Sequence, residues 1–338
     1  MFFLRKFDFP VDLVYSWCDG NDPDFAFRRA KTMAELSGTE FDPDAITVER
    51  WTEHDELKYS IRSVCKFLPW VNKIYVLMNQ HPPAWMKTDM PGVVCVQHKD
   101  VMWENSSMSC FNSNAIETYI HRIPGLSEHF IYSCDDFFVG APLKKSYFFT
   151  KNGTAIQYVY KFKNMCGRLS DEYFQDLIND KAWDTQYART TVRVNKLLYD
   201  EFKKELCIFP SHLMDAHNRS VMEEQIESSP LTRYVVETRK HNFRKDNDIP
   251  RIAYPWRAAL LGKLKLKYLS LPRPRLEQYF TLSRKPRVCS TLDDFRHLRI
   301  GKTPLFCLNG TGSNIDIYYQ KCKEFLETNF PEKSPFEK

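Results

Sequence analysis

One unit recurs through the first 140 residues: a short β-branched apolar run that stops on polar residues, with helical stretches between such runs. "VDLVYSW" (11–17), "KIYVLM" (73–78), "VVCVQ" (93–97) and "HFIYSC" (129–134) are short and bounded by turn residues, and they read as buried strands. Between the first and second, Leu57, Ile61, Val64, Cys65 and Leu68 recur at helical spacing, with Asp55 as the expected cap and Pro69 as the stop. Between the third and fourth, "SNAIETYIHRI" (113–123) puts Ala115, Ile116, Tyr119, Ile120 and Ile123 on one helical face, and Pro124 and Gly125 end it. Strands alternating with helices predict an α/β layer fold whose mostly parallel sheet is flanked by helices.

Such sheets bind ligands in the crevice at the carboxyl ends of their strands. All four runs end on polar residues there: Asp19, Asn21 and Asp22; Asn79 and Gln80; His98 and Asp100; Asp135 and Asp136. The last pair stands between two apolar runs in "HFIYSCDDFFVG" (129–140). Adjacent carboxylates in an apolar setting are costly unless they are paired or hold a cation. A carboxylate-bound divalent cation is what a pyrophosphate-bearing donor requires. The blander reading of the pair is a capping aspartate beside a surface one.

Further along, residues 140–190 mix aromatics with Lys, Asn and Gly and read as an insertion or lid. "TTVRVNKLLYDEF" (190–202) reads as a helix with Val194, Leu197 and Leu198 facing inward. "SHLMDAHNRSVMEEQIE" (211–227) reads as a loop running into a helix, and 312–330 as a terminal helix. The expected organisation is a nucleotide-sugar-binding half (1–140), an insertion or small helical subdomain (141–190), the rest of the catalytic domain (191–312) and a C-terminal helix or tail (313–338). His212 suits a general base, with a plain loop histidine as the alternative, and its spacing to Asp215 and His217 fits no standard zinc motif. "RKHNFRKDNDIPR" (239–251) is a basic cluster able to grip phosphate or simply to be solvated. GxGxxG, GxxxxGK[ST] and GxSxG are all absent, so a dinucleotide enzyme, a P-loop kinase and an α/β-hydrolase lack support.

A net charge of +5 without a long Lys/Arg block does not favour a nucleic-acid binder. Ten cysteines with no CxxC pair, several inside apolar runs, read as reduced thiols of a cytoplasmic protein. "MFFLRKFDFP" is too short for a signal peptide, and no apolar run is long enough to span a bilayer. The expected location is the cytoplasm, with peripheral contact at the inner membrane open. The basic stretch 263–275 could face a membrane, an anionic polymer or solvent.

These pieces together resemble the Stealth proteins, which comprise bacterial capsule polysaccharide hexose-1-phosphate transferases and the animal GlcNAc-1-phosphotransferase alpha/beta subunit. "VDLVYSWCDGNDP" is similar to the first conserved region, and "ELKYSIRSVCKFLPWVNKIYVLMNQHPPAWM" through "FNSNAIETYIHRIPGLSEHFIYSCDDFFVG" to the second. "VNKLL", "FPSHLMDAHNRSVM" and "FRKDNDI" are similar to the third, and "LFCLNGTG" (305–312) to the short fourth. Two positions depart from the usual pattern: Gln80 stands where a glycine is usual, and Cys134 where an Asn often precedes the aspartate pair.

The resemblance implies a Rossmann-like or GT-A-like fold. It also implies transfer of a hexose or N-acetylhexosamine 1-phosphate from a UDP-sugar such as UDP-GlcNAc, with UMP released. The acceptor would be a capsule oligosaccharide or a lipid-linked chain, and a capsule-assembly complex a further contact. It assigns His212 as base, Arg244 as pyrophosphate ligand, and Asp135 and Asp136 as holders of Mg²⁺ or Mn²⁺. Asp19, Asn21, Asp22, Asn79, Asn195, Asp248 and Asn309 are the implied substrate contacts, and Glu117 and His121 pack a helix against the site. The competing readings are a metal-dependent GT-A-type glycosyltransferase, which would release UDP, and a non-catalytic sugar- or nucleotide-binding module.

Overall fold

A computed structural model describes residues 7–36, 51–102, 110–180, 183, 185–269, 287–310 and 315–338. The central sheet holds five strands in the order β3-β2-β1-β4-β8. They are β1 (Val11–Ser16), β2 (Ile74–Met78), β3 (Val93–Gln97), β4 (His129–Cys134) and β8 (Asp215–Asn218). The first four run parallel, as the alternation predicts, and β8 closes one edge antiparallel to β4. β1 is central, and alternate side chains enter two different cores. Leu13 and Tyr15 join Ile131 and the helix Glu56–Phe67 on one face, while Val14 joins Phe130, Tyr132 and the helix Ala253–Leu260 on the other.

Two smaller sheets flank this one. β10 (Arg287–Cys289), β11 (Leu305–Leu308) and β5 (Phe137–Val139) form one, in the order β10-β11-β5. β7 (Ile208–Pro210), β6 (Ile156–Lys161) and β9 (Lys265–Leu269) form the other, in the order β7-β6-β9. Residues 141–190 therefore contribute β6, along with the helix Asp171–Ile178. Helix Glu56–Phe67 is fastened to β5 by serines: Ser60 donates to the Phe137 carbonyl and Val139 N–H donates to Ser63 Oγ.

Three local expectations are corrected. Residues 215–218 are a strand, because this short polar segment is stabilised by pairing with β4 and not by its own pattern. The helix expected over 113–123 is broken into an α-turn at Ser113–Glu117 and a 3₁₀ turn at Ile120–Arg122, with Thr118 Oγ donating back to the Ala115 carbonyl. Asp55 precedes its helix with φ +68° and makes no side-chain cap; it pairs instead with Lys58 at 2.8 Å. Within the basic stretch 263–275, residues 265–269 form β9, and 270–275 lie outside the described residues. The terminal helix spans Ile315–Asn329. Among the described residues, no helix is long and apolar enough to cross a membrane. All ten cysteines are free thiols, and Cys166 is exposed.

Candidate active site

Register dictates what meets at the carboxyl edge of the central sheet. Ser16 lies opposite Leu77 of β2 and Cys134 of β4, and Met78 opposite Gln97 of β3, so the four polar strand ends share one edge. The loops there are sewn together. Asp19 N–H donates to Gln80 Oε1 at 2.8 Å, and Gln97 Nε2 donates to the Gln80 carbonyl at 3.0 Å. The departure at position 80 thus clamps β1 to β2. Gly20 N–H meets the Trp51 carbonyl at 2.5 Å, an approach so close that a Cβ at position 20 would run into the Trp51 backbone.

Asp135 and Asp136 form the turn joining β4 to β5. Burial raises both carboxyls above the usual carboxylate range, and the neighbouring Asp136 charge pushes Asp135 further. Against this, the Cys307 thiol donates to Asp136 Oδ2 at 3.2 Å and holds that carboxyl lower than burial alone would. Two chain crossings complete the site. β8 pairs with β4 so that Tyr132 faces Asp215, and continuing that register by three residues brings His212 level with Asp135. β11 pairs with β5 so that Cys307 faces Phe137, which sets Asn309 beside the same turn. One ligand atom each from Asp136, His212 and Cys307 lies within 4.8 Å of the others, and His212 Nε2 stands 3.4 Å from Asn309 Nδ2. His212 has φ +53°, a left-handed conformation uncommon for a side-chain-bearing residue. Its ring is held edge-on between Phe137 and Tyr187, at 5.4 and 5.2 Å.

The donor set suits a divalent cation. Two adjacent carboxylates kept from easy ionisation gain most from a positive charge, and carboxylate oxygens are the ligands such hard ions take. Asp136 also has the His212 nitrogen and the Cys307 sulfur within reach; Asp135 is not part of that three-donor group.

The remaining expected site residues divide. Asp19 accepts from Asn21 N–H at 2.8 Å, and Asn21 is exposed at the edge. Asp22 caps the helix Pro23–Glu35 by accepting from Phe25 N–H at 2.8 Å. Asn79 is buried, and its carbonyl accepts from Arg28 at 2.6 Å. Arg244 is half-buried on the loop after the helix Thr232–Thr238 and bonds Ser113 Oγ through Nε at 2.8 Å. Asp248 is buried and shapes that loop: it accepts from Asn112 Nδ2 at 2.7 Å and Lys245 N–H at 2.8 Å, and meets His241 Nδ1 at 2.6 Å. Asn195 does not reach the site as a free group. It is 1% exposed, and it bonds the Ile208 N–H and carbonyl and the Thr191 carbonyl, tying the helix Gln186–Phe202 to β7. Its expected substrate contact gives way to this structural role, since all its bonding capacity toward solvent is closed off.

Several residues went unseen in the sequence. Arg251 lies between Asp215, which it meets through Nη1, and Glu117 Oε2 at 3.4 Å, and its guanidinium sits 4.0 Å from the Tyr132 ring centroid. Tyr132 in turn donates to Glu117 at 2.9 Å. This buried network underlies the aspartate turn, and it gives Glu117 the packing role expected of it. Glu53 and Glu56, just before and at the start of helix Glu56–Phe67, face Asp135. Burial, with the Asp135 charge adding to it, raises Glu53 to about 7 and Glu56 well above the usual range. The density of carboxylates in "ERWTEHDE" (49–56) was the available signal. His98, polar in the sequence, is buried and pushed down to about 3 by burial and the Arg28 charge, so it stays neutral.

Comparison with known proteins adds kinship. Stealth protein CR2, conserved region 2, matches residues 50–157. The exopolysaccharide phosphotransferase SCO6021 of Streptomyces coelicolor is 32% identical over 98% of this chain and 57% of its own length. The exopolysaccharide phosphotransferase CpsY of Mycobacterium tuberculosis is 31% identical over 98% of this chain and 58% of its own. The chain thus spans a little over half the length of these curated relatives. Among solved structures, the apo bifunctional glycosyltransferase WbbM aligns with 97% of this chain and 50% of its own, at 14% identity and a TM-score of 0.43.

Proposed function

We propose, from the match to Stealth conserved region 2 over residues 50–157, that the chain is a Stealth-type sugar-phosphate transferase of polysaccharide synthesis. In this reading it moves a hexose or N-acetylhexosamine 1-phosphate from a UDP-sugar to a hydroxyl of a growing capsule-type polysaccharide. The acceptor oxygen bonds to the β-phosphorus, the bond from that phosphorus to the bridging oxygen breaks, and UMP leaves. The anomeric bond is kept, and the product is a phosphodiester.

The observation that carries this reading is the convergence of Asp136, His212 and Cys307 within 4.8 Å, beside Asn309, at the carboxyl edge of a parallel sheet. Phosphoryl-type transfer needs positioning, charge stabilisation and a proton acceptor more than covalent chemistry. His212 takes the acceptor hydroxyl proton, with its ring fixed by Phe137, Tyr187 and Asn309. Arg244, oriented by Ser113, binds the pyrophosphate. Asp135 and Asp136 would hold Mg²⁺ or Mn²⁺, which when bound neutralises the donor's phosphate oxygens. Asp19, Asn21 and Asn79 border the nucleotide end of the crevice. The location that goes with this reading is the cytoplasm, with peripheral contact at the inner membrane open.

The test is incubation with UDP-GlcNAc and related donors plus an oligosaccharide acceptor. The expected nucleotide product is UMP, with a phosphodiester-linked sugar in the acceptor. UDP in its place would assign the site to ordinary glycosyl transfer.

A further inference from the structure

The sheet β7-β6-β9 brings together a second group of three metal-type donors. Cys166, Glu205 and Cys207 each offer one ligand atom, and these atoms lie within 4.8 Å of one another. The pairing of β6 with β7 sets Lys161 opposite Ile208, so the chain leaving β6 meets the chain entering β7. Just beyond that ladder the Phe162 N–H donates to the Cys207 carbonyl at 2.7 Å. The chain then makes a 3₁₀ turn at Lys163–Met165 and reaches Cys166 and Gly167. Gly167, at φ +76°, turns its N–H back onto Glu205, and both carboxylate oxygens accept it, at 2.9 and 3.0 Å. That bond holds the carboxylate beside the sulfurs, with Cys207 Sγ 3.9 Å from Glu205 Oε2. Cys207 itself has φ +50°, a left-handed conformation uncommon for a side-chain-bearing residue.

Two sulfurs and a carboxylate oxygen are ligand types of zinc. Thiolates select soft ions, and the oxygen ligand favours Zn²⁺ over Cu(I) among them. With Zn–S bonds of about 2.3 Å and a Zn–O bond of about 2.1 Å at the tetrahedral angle, ligand atoms stand about 3.6–3.8 Å apart. The 3.9 Å between Cys207 Sγ and Glu205 Oε2 is already close to that spacing. Cys166 and Glu205 are exposed and Cys207 is buried, so an ion can enter from solvent and water can take the fourth position. Two thiolates and a carboxylate bring one negative charge more than the ion removes, and Lys161, near enough to act on Cys207, offsets it. A disulfide would use the two sulfurs alone and would leave the oriented carboxylate without a part.

We propose that Cys166, Glu205 and Cys207 form a zinc site. On binding, the two thiol protons pass to solvent as the bonds to the ion form. The ion pins the turn after β6 to the head of β7. Asn195 holds the same strand end from another side, through the Ile208 N–H and carbonyl. β7 ends at Pro210, just before His212, so the pin steadies the segment that delivers His212 to the aspartate turn.

The probe is Co²⁺, because thiolates bound to it give a charge-transfer band in the near ultraviolet. The starting chain is His212→Ala, which removes one donor of the Asp136, His212 and Cys307 group. It is expected to show the band and, loaded with zinc instead, to keep one zinc ion through dialysis, counted by plasma mass spectrometry. Zinc at about a hundredfold excess over its Kd should raise the melting temperature by about 5 °C. Adding Cys166→Ser should remove the band, the retained zinc and the melting shift. The zinc-free melting temperature should stay unchanged, since Cys166 is exposed. Adding Glu205→Gln, which can still accept from the Gly167 N–H, should weaken zinc binding at least about tenfold. No band in the His212→Ala chain, or a band that survives Cys166→Ser, overturns the site. So does a Cys166–Cys207 disulfide in protein whose thiols are blocked at lysis, which would make the pair a redox couple.

Discussion

Asp215→Ala tests whether the network beneath the aspartate turn holds the site up. Arg251 and Asp215 are each 12% exposed at the side chain, so water screens their attraction little. Removing one partner of a buried pair costs about 3–5 kcal/mol, because the other charge is left without compensation. Two features of the structure set the value within that range. Glu117 Oε2 remains 3.4 Å from Arg251 Nε and softens the loss. His217 Nε2 loses its 2.9 Å partner and adds to it. The balance is a loss of about 3 kcal/mol, a large part of the roughly 5–15 kcal/mol that holds a domain folded. Urea unfolding at pH 7 measures it. The pH dependence has a definite sign. Burial acts to raise Asp215, but the charges of Arg251 and His217 outweigh it and leave its carboxyl below the usual range. Its contribution is therefore complete above the unfolded-state value of about 4 and fades as pH falls through the lower folded-state value. The gap between parent and variant should be full at pH 7 and narrow only in acid. A loss under about 1 kcal/mol for Asp215→Ala would refute the reasoning.

Other outcomes follow from the same geometry. His212→Ala and Arg244→Ala should each lower the transfer rate at least about a hundredfold with little change in melting temperature; an unchanged rate in steady-state assay removes that residue from its role. Asn195→Ala should lower stability by about 1–3 kcal/mol, read by urea unfolding, and leave the donor KM alone, since its bonds tie a helix to β7. Asp136→Asn should abolish transfer yet stabilise the cation-free protein by about 1 kcal/mol. The Asp135 and Asp136 carboxyls are raised above their unfolded-state values, so the parent loses stability as pH climbs from about 4 toward neutrality and the variant loses less. Thermal melts across that pH range check it.

Much of the frame was legible in the sequence because its signals are local. Four β-branched runs sized like strands, each ending on polar residues, were enough for a parallel sheet with one functional edge, and Asp135 and Asp136 stand at that edge. What stayed hidden depends on distant pairing. β8 is four polar-leaning residues, "DAHN", with no period of their own; β4 makes them a strand, and so carries His212 to the aspartate turn. Arg251 and Asp215 are 36 residues apart, and neither position signals the other. Asn195 was a candidate ligand through the family resemblance alone, with no local signal of its own; here it closes the backbone bonds of a neighbouring strand end. Asp55 had the right type and place for a cap, but its left-handed backbone turns the carboxylate to Lys58.

The central claim is that the bond broken lies between the two phosphates of the donor. Nucleotide analysis of a UDP-GlcNAc reaction, run with Mg²⁺ and an oligosaccharide acceptor and paired with ³¹P spectroscopy of the product, tests it most directly. The account predicts UMP in amounts equal to new phosphodiester, both lost in His212→Ala. UDP with a phosphate-free glycosidic product would contradict it.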